Sequence, residues 1–185
     1  DFLIFPHSTD KVLSPARRDT SPTFRRIQTV GDKPLRILDG INHRHDDSFY
    51  AEIWGGEDIH IGIYESPDEE VAAASARTVE TVAGHVDFLT GEDRVLDIGA
   101  GYGGAGRFLA TKFGCQVDCL NLNEVQNERN RLLTAQADLQ GLVHVVHANF
   151  ESIPAPDAHY DAVWSQDAIL HSGARERVLS EVARV

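Results

Sequence analysis

The sequence predicts an α/β fold in which helices flank a parallel, doubly wound sheet. Three observations support this prediction. Short apolar runs alternate with longer segments of helical periodicity, which is the pattern of repeated strand–helix units. A cluster of glycines directly follows the first such run, and Gly114 ends the helical segment after it. The chain has 185 residues, enough for one domain with its own core.

The predicted strands and helices alternate along the chain. The first strand is predicted at 95–98 and its helix at 105–113. Asn123 has the residue type that caps helix N-termini, so a helix to about Leu139 should follow the second strand, and Ser172 should cap the last helix in the same way. The other strands are predicted at 116–122, 143–147 and 160–165. Helices joining parallel strands make right-handed crossovers, which gives the doubly wound sheet.

A longer helix is predicted ahead of the first strand. Residues 66–69 (SPDE) combine a possible N-cap at Ser66, a proline in the first turn and acids near the positive end of the helix. Apolar residues then recur at helical spacing from Val71 to Leu89, so one face of this helix should pack on the sheet. A short helix is predicted at 49–54.

Residues 1–48 are predicted to form an N-terminal arm or lead-in that is partly irregular. They contain four prolines and no sustained periodicity. Within residues 1–38, seven Lys and Arg outnumber four Asp for a net charge of +3, which leaves −15 for the rest of a chain whose net charge is −12. An acidic domain lacks the positive face that phosphate binding needs, so nucleic acid is not expected as a partner.

Other parts of the sequence predict the location of the protein and exclude some ligands. No apolar stretch is long enough to span a membrane, so no membrane partner is expected. Cys115 and Cys119 lie four residues apart on a predicted strand, too far for an easy disulfide, which favours buried thiols in a reducing cytoplasm. A His and Asp group at 43–47 lacks a defined ligand spacing, so we interpret it as a solvated loop and expect no metal site.

The glycines after the first strand predict a ligand site. Gly99, Gly101 and Gly104 fit the dinucleotide spacing G-x-G-x-x-G, whereas Gly103 in place of Gly104 gives G-x-G-x-G. Glycine at such a turn permits positive φ and lets a ligand approach the backbone without a Cβ in the way. The amides of the following helix would then face the polar end of a ligand with an adenosine-like body.

Two polar residues near these glycines distinguish between the possible ligands. Asp97 lies at the strand end, where a carboxylate can hold an ammonium group but would be a poor neighbour for pyrophosphate. Asn121 stands after the second strand, where a dinucleotide site would have an Asp or Glu for the ribose. Its amide can bond ribose hydroxyls without adding charge. Both residues disfavour a nicotinamide oxidoreductase.

Several stretches carry a family resemblance. Residues 95–104 (VLDIGAGYGG) resemble the first motif of class I S-adenosyl-L-methionine (SAM) methyltransferases. Three further stretches resemble the sarcosine/dimethylglycine N-methyltransferases of glycine betaine synthesis: 53–62, 119–127 and 164–172. The likeness to phosphoethanolamine and cyclopropane-type methyltransferases is more distant.

The resemblance runs from about Phe49 to the end of the chain. It implies a Rossmann-like domain over 49–185, with a flap and helix at 49–90 and a core at 91–185. It also implies seven strands, of which four are predicted here. We therefore expect the C-terminal half of the fold to be absent after the fourth strand and its helix, leaving that strand with a bare edge.

The resemblance implies SAM as the cofactor and assigns residues to it. The cofactor-binding residues would be Asp97, Gly99, Ala100, Gly101, Gly103, Gly104, Asn121, Leu122, Gln126, Asn149, Phe150 and Ser165. Asn149 stands where the family often has an acid that contacts the adenine amino group. Gln126 also occupies a capping-box position, so its role could be either cofactor contact or helix capping.

The substrate side of the predicted site is aromatic and histidine-bearing. The residues assigned to a small amine substrate are Trp54, His60, Tyr64 and Gln166. In the related families the loop at 58–64 folds over the cofactor, although it could also be an apolar flap packed on the core. Trp54 or Trp164 could offer a ring face to a methylated nitrogen or could be core residues. Arg77 is a candidate for binding the substrate carboxylate.

The predicted catalytic residues are His171 and Asp167. Imidazole titrates near neutral pH and can take the proton that an ammonium substrate must lose before its nitrogen attacks. In the phosphoethanolamine enzymes this His works with an N-terminal Tyr, and Asn42 stands at about that position here. Because the sulfonium already activates the methyl group, positioning and exclusion of water should supply most of the rate.

The resulting hypothesis is an enzyme that methylates sarcosine or dimethylglycine towards glycine betaine. Another small-molecule methyltransferase, acting on phosphoethanolamine or a lipid or polyketide-like acceptor, is a second hypothesis. A SAM-binding domain without catalysis of its own is a third.

Overall fold

The structure confirms the predicted alternation of strands and helices. A computed structural model describes the backbone of residues 2–6 and all of residues 56–185. The strands are β1 (Phe2–Pro6), β2 (Arg94–Ile98), β3 (Gln116–Asn121), β4 (Val143–His147) and β5 (Ala162–Gln166). The helices are α1 (Val71–Ala83), α2 (Gly104–Phe113), α3 (Glu124–Gln136) and α4 (Arg175–Arg184), with a 3₁₀ turn at Ile169–His171.

The sheet has the order β1-β5-β2-β3-β4, and β2, β3, β4 and β5 are parallel. The chain runs outward from β2 through β3 to β4, then returns to place β5 on the other side of β2. The reversal of strand order therefore falls between β2 and β5. In open sheets of this kind, ligands bind in the crevice beyond the carboxyl ends of the strands at such a point.

The prediction of a bare edge on the fourth parallel strand is wrong. β1 pairs antiparallel with β5, from Phe2 opposite Gln166 to Pro6 opposite Ala162. The apolar run at the start of the chain thus supplies a strand whose backbone satisfies the amides and carbonyls of that edge. The sheet is consequently mixed rather than purely parallel.

Several sequence predictions lie outside the described residues. These are the helix at 49–54, the roles of Asn42 and Trp54, and the His and Asp group at 43–47. Within 56–185, no three His, Cys, Asp or Glu side chains are grouped to hold a metal ion. No helix in the described part of the chain is long and apolar enough to cross a membrane.

The core lies on both faces of the sheet, and the alternation of side chains along β2 assigns the faces. Val95 packs in a cluster with α1 and α2, whereas Leu96 and Ile98 pack in a second cluster with α4. Asp97 follows the same alternation and therefore lies on the α1 and α2 face. Cys115 and Cys119 are buried in the first cluster as free thiols, as predicted.

Helix α1 begins later and ends earlier than predicted. Ser66 is not its N-cap, because α1 starts at Val71 and residues 66–68 form a turn. Glu69 does not cap the helix either, since its carboxylate accepts from the Glu65 amide at 2.8 Å and binds Arg77. The apolar periodicity outlasts the helix, because Leu89 is buried in the turns beyond α1.

The two other predicted caps have different outcomes. Asn123 is the N-cap of α3, and its side chain accepts from the amides of Val125 and Gln126 at 3.0 and 3.3 Å. Ser172 is not the N-cap of α4, which starts at Arg175. The Ser172 hydroxyl instead accepts from the Ala174 amide at 2.9 Å and lies 2.5 Å from a Glu151 carboxylate oxygen.

We predict that Gly106→Ala destabilises the protein although alanine favours helices. A Cβ at Gly106, in α2, would overlap the Cys119 sulfur, with a Val117 methyl next at 3.4 Å. The overlap should outweigh a helix preference of about 1 kcal/mol, giving a net loss of about 1–3 kcal/mol in urea unfolding. Cys119→Ala removes the sulfur, so the same glycine substitution should cost less in that background.

Gly173→Ala is the matched control for this cycle, because nothing lies within 4 Å of a Cβ there. It should change the unfolding free energy by no more than about 0.5 kcal/mol. An equal cost of Gly106→Ala with and without Cys119 would contradict the steric explanation.

Candidate active site

A cavity of about 410 Å³ lies beyond the carboxyl ends of β2, β3, β4 and β5. It occupies the point where the strand order reverses. Its volume falls in the range of small-molecule and cofactor sites. The segment at 57–64, which we call the flap, forms one wall, and the loop after β5 forms the wall beside it.

Most of the predicted site residues line this cavity. They are His60, Asp97, Gly99, Ala100, Gly101, Asn121, Leu122, Gln126, Asn149, Phe150, Gln166, Asp167 and His171. Seven lining residues were not predicted: Asp58, Ile59, Ala105, Asn123, Glu151, Ala168 and Ser172. Several of the seven belong to stretches that carried the family resemblance, but their residue types gave no separate chemical signal.

Among the described residues that were assigned to the cofactor or the amine, four are not in the cavity wall. Gly103 and Gly104 are covered by other parts of the chain, as described below. Ser165 is buried with its hydroxyl 3.5 Å from the Ile98 carbonyl. Tyr64 is 48% exposed and lies beyond the part of the flap that reaches the cavity.

The glycine loop has the positive φ angles that the sequence predicts. Other parts of the protein lie next to the positions where Cβ atoms would be. Gly99, Gly101 and Gly103 have φ of 76°, 53° and 78°, which other residues adopt only with strain. A Cβ at Gly99 would overlap the Ala168 side chain, and one at Gly103 would overlap Asn130. The missing Cβ atoms therefore make room for the protein's own loops and helices.

The first turn of α2 has a negative side chain beside it. A Cβ at Gly104 would overlap the carboxylate of Asp58, and the Glu57 carbonyl would be only 2.8 Å away. The flap therefore crosses directly over the start of α2. A carboxylate at this end of a helix is favourable because the helix dipole is positive there.

Asp97 is a buried acid with an unpaired oxygen. Its side chain is 3% exposed, and Oδ2 has no hydrogen-bond partner. Burial and the nearby Asp58 carboxylate raise its pKa to about 7, while His60 acts in the opposite direction. A buried carboxylate without a partner is costly, so this residue is suited to a positively charged ligand group.

His60 is the buried basic residue of the flap. It is buried, and its Nε2 lies 3.6 Å from Asp58 Oδ1. Burial lowers the pKa of His60, but the hydrogen bond and charge of Asp58 outweigh that effect and raise it. The Ser75 hydroxyl of α1 donates to the His60 carbonyl at 3.0 Å and fixes this part of the flap.

The charge of the cavity wall is negative. Among the described lining residues there are four carboxylates, on Asp58, Asp97, Glu151 and Asp167, and no Lys or Arg. Arg77, the predicted partner of a substrate carboxylate, does not line the cavity, because it binds Glu69 and donates to the Ile63 carbonyl at 2.7 Å. Arg77 therefore lies outside the described cavity wall, and a residue of the C-terminal half remains the other expected source of a cation. The wall favours a cationic ligand.

A buried arginine holds the flap to the glycine loop. Arg107, in α2, is 4% exposed and donates to Glu57 Oε2 at 3.0 and 2.7 Å. Its Nη1 donates to the Tyr102 carbonyl, inside the glycine loop, at 2.8 Å and to Asn130 Oδ1 of α3 at 3.0 Å. One guanidinium therefore joins the flap, the glycine loop and α3.

The flap is also held on its other side. The Ile61 amide donates to Asp167 Oδ2 at 3.0 Å, across from the loop after β5. Asp167 has a φ of 49°, in the left-handed region that few residues other than glycine adopt. Its carboxylate thus anchors the flap in this structure.

Polar side chains line the far end of the cavity. Asn121 Nδ2 donates to Gln126 Oε1 at 3.0 Å, so the Gln126 side chain does not close a capping box with Asn123. Asn149 Oδ1 accepts from the Glu151 amide at 2.8 Å. The expected adenine acceptor is therefore already bonded to its own turn through one lone pair.

The fold and the comparison with known families agree. The family model described as "Methyltransferase domain" matches residues 96–185, which include the end of β2, the glycine loop and β5. Together with the fold, this match identifies residues 96–185, just under half of the chain, as a class I methyltransferase domain. Within this methyltransferase domain, Asp97 and Gly99–Gly104 occupy the first motif that the sequence predicted.

Known proteins resemble this methyltransferase domain closely. The chain is 52% identical over 147 residues to a glycine/sarcosine/dimethylglycine N-methyltransferase of Actinopolyspora halophila, covering 80% of this chain and 26% of that protein. It is 51% identical over 144 residues to a sarcosine/dimethylglycine N-methyltransferase of Halorhodospira halochloris, covering 78% and 52%.

A solved structure gives the same result. A protein of Galdieria sulphuraria, assigned as a sarcosine dimethylglycine methyltransferase, superposes with a TM-score of 0.72 at 46% identity. The match covers 77% of this chain and 54% of that one. The chain thus spans a quarter to about half of the length of these relatives.

We predict that Asp97→Asn stabilises the ligand-free protein at high pH. Asp97 has a raised pKa, so its neutral form favours folding below the ordinary pKa of 3.8, and that contribution is lost as pH rises through about 7. At roughly 1.4 kcal/mol per pKa unit, the charged form costs at most about 4 kcal/mol at pH 8. Urea unfolding should show the variant gaining on the unsubstituted protein between pH 5 and pH 8.

Asp87→Asn is the control, because Asp87 is exposed on the surface. It should leave the pH dependence unchanged. Parallel curves for Asp97→Asn and the unsubstituted protein would show that Asp97 is not a buried, unpaired acid.

A second prediction concerns the ion pair of the flap. Glu57→Gln leaves the buried guanidinium of Arg107 without its counter-charge, so the unfolding free energy should fall by about 1–3 kcal/mol. Asp157→Asn breaks the pair that Arg184 makes with an 81% exposed partner, and it should change stability little. Equal effects of the two substitutions in thermal or urea unfolding would refute a special role for the Arg107 pair.

Proposed function

We propose that this chain binds SAM and transfers its methyl group to the nitrogen of a small amine, sarcosine or dimethylglycine, towards glycine betaine. The observation that carries the proposal is the unpaired carboxylate of Asp97 at the base of an acidic cavity, where the strand order reverses. The relatives' names suggest the same reaction and acceptor.

The described residues fit the chemistry of SAM. Asp97 would hold its ammonium group, which supplies the positive partner that Oδ2 lacks. Asn121, oriented by Gln126, would bond the ribose hydroxyls, and Asn149 and Phe150 would contact the adenine. When bound, SAM supplies a methyl group already activated on a positive sulfur. The four carboxylates of the wall complement that charge.

The remaining residues would prepare the acceptor and exclude water. His171 lies in the 3₁₀ turn at the cavity wall and would take the proton that the amine must lose. Asp167 would act through the flap, because its carboxylate already accepts from the Ile61 amide. The flap, held by Arg107 and Asp167, would shield the reacting groups from solvent.

The wall charge also bears on the choice of acceptor. A phosphate-bearing acceptor such as phosphoethanolamine would meet four acidic side chains and no Lys or Arg among the described lining residues. A methylated amine with a single carboxylate would meet less repulsion. The acidity of the chain as a whole argues against nucleic acid, and its two free, buried thiols favour a cytoplasmic location.

The proposal predicts methyl transfer and a proton signature of binding. Labelled SAM should transfer its methyl group to dimethylglycine or sarcosine faster than to glycine or phosphoethanolamine. Calorimetry with S-adenosylhomocysteine near pH 7 should show proton release, because the ligand's ammonium lowers the raised pKa of Asp97. Asp97→Asn should weaken binding and abolish that release.

Clear outcomes would contradict the proposal. Absence of binding to both SAM and S-adenosylhomocysteine would end it, as would tight NADH binding alone. Binding without transfer to any amine would support a SAM-binding domain that has no catalysis of its own.

A further inference from the structure

Gln166 presents an unsatisfied donor at the cavity wall. It is the last residue of β5, is 9% exposed and lines the cavity. Its Oε1 accepts from the Trp164 indole nitrogen at 2.9 Å, but its Nε2 is buried and has no hydrogen-bond partner. The sequence places Gln166 on the substrate side of the site, but the proposed reaction names no ligand atom that this amide would bind.

The indole of Trp164 determines which way the amide is turned. An indole N–H can only donate, so the oxygen of Gln166 must face it and the NH₂ must face away. Trp164 is 2% exposed and belongs to the core cluster with α1 and α2, so it cannot easily move. The orientation of the Gln166 amide is therefore fixed by a core residue.

A neighbouring strand places an unsatisfied acceptor on the same face. Trp164 is the register partner of Asp97, and Gln166 has the same side-chain parity on β5 as Trp164. Asp97 Oδ2 and Gln166 Nε2 are thus an acceptor and a donor, both buried and unpaired, on adjacent parallel strands. An ammonium and a carboxylate on one molecule, as in an amino acid, would satisfy both.

We propose that Gln166 Nε2 donates to a carboxylate bound in the cavity, and that Trp164 is the positioning residue that aims it. Gln166 is suited to this task because it is neutral, whereas four of the described lining residues are acids that repel a carboxylate. The inference rests on the proposed function, which supplies two ligands with such a group. One is the amino-acid end of SAM, and the other is the methylated amino acid acceptor.

Gln166→Glu is the decisive substitution. It keeps an oxygen for the Trp164 N–H and replaces only the cavity-facing NH₂ by a second oxygen, so the side-chain shape is retained. Because it adds a buried acid, urea unfolding checks that the variant is folded under the binding conditions. Affinity for the carboxylate-bearing ligand should fall by about 10-fold to 100-fold, since a hydrogen bond to a charged group is lost and repulsion is added. Gln140→Glu makes the same chemical change at an exposed site and should leave affinity unchanged.

Two binding comparisons by calorimetry distinguish the source of the carboxylate. S-adenosylhomocysteine is compared with 5′-methylthioadenosine, which lacks the amino-acid end. Dimethylglycine is compared with dimethylethanolamine, which lacks the carboxylate, each added to the protein saturated with S-adenosylhomocysteine. A loss confined to S-adenosylhomocysteine assigns Gln166 to the cofactor, and a loss confined to dimethylglycine assigns it to the acceptor.

Trp164→Phe tests the positioning role. Without the indole N–H the amide can turn, so KM for the affected ligand should rise about 3-fold to 10-fold while kcat changes little. A loss of stability alone, with KM unchanged, would make Trp164 a core residue and nothing more.

The inference and the proposed function fail in different ways. Unchanged affinity of Gln166→Glu for both carboxylate ligands, or an equal loss for 5′-methylthioadenosine, overturns the inference while leaving the proposed function intact. If the unsubstituted protein binds S-adenosylhomocysteine but not dimethylglycine, the inference is tested only by comparing S-adenosylhomocysteine with 5′-methylthioadenosine. If it binds neither, the proposed function fails and the inference fails with it.

Discussion

The geometry of the site depends on the buried guanidinium of Arg107. It is fully inside the protein, yet it requires a counter-charge, and the flap supplies that charge through Glu57. The same group bonds the carbonyl of Tyr102, so it also holds the glycine loop in its left-handed path. Because a buried charge without a partner is costly, the flap and the glycine loop cannot easily separate. Arg107 therefore couples the position of the flap to that of the glycine loop.

The second constraint is the accumulation of carboxylates around the cavity. Asp58 and Asp97 raise the cost of each other's charge, and His60 only partly offsets it. A cationic ligand would relieve this repulsion, and that relief would contribute to its binding free energy. An unpaired neutral donor of the described wall, Gln166 Nε2, is oriented by Trp164 from the core. An acid on β2, Asp97, is thus placed to bind a cation, and an amide on β5, Gln166, is placed to bind a carboxylate.

Local sequence signals predicted the parts of the fold that local interactions decide. β4, the end of α2 at Gly114 and the cap at Asn123 were all predicted, because strand propensity, a left-handed glycine and a side-chain cap act within a few residues. Ser66 and Ser172 carried the same kind of signal and failed, since a turn and a bond to Glu151 compete for them. Tertiary contacts decided these cases, as they did for β1 on the edge of β5.

The close approaches at the glycines imply a pattern of paired sequence change. At four of the described glycines, the nearest atom to an added Cβ belongs to one side chain of another element: Gly99 with Ala168, Gly103 with Asn130, Gly104 with Asp58, and Gly106 with Cys119. These pairs join elements that are far apart in the chain. Across an alignment of homologues, a larger residue at one member should coincide with a smaller one at the other. Covariation at these four pairs would then report the spacing of the helices and loops without any coordinates.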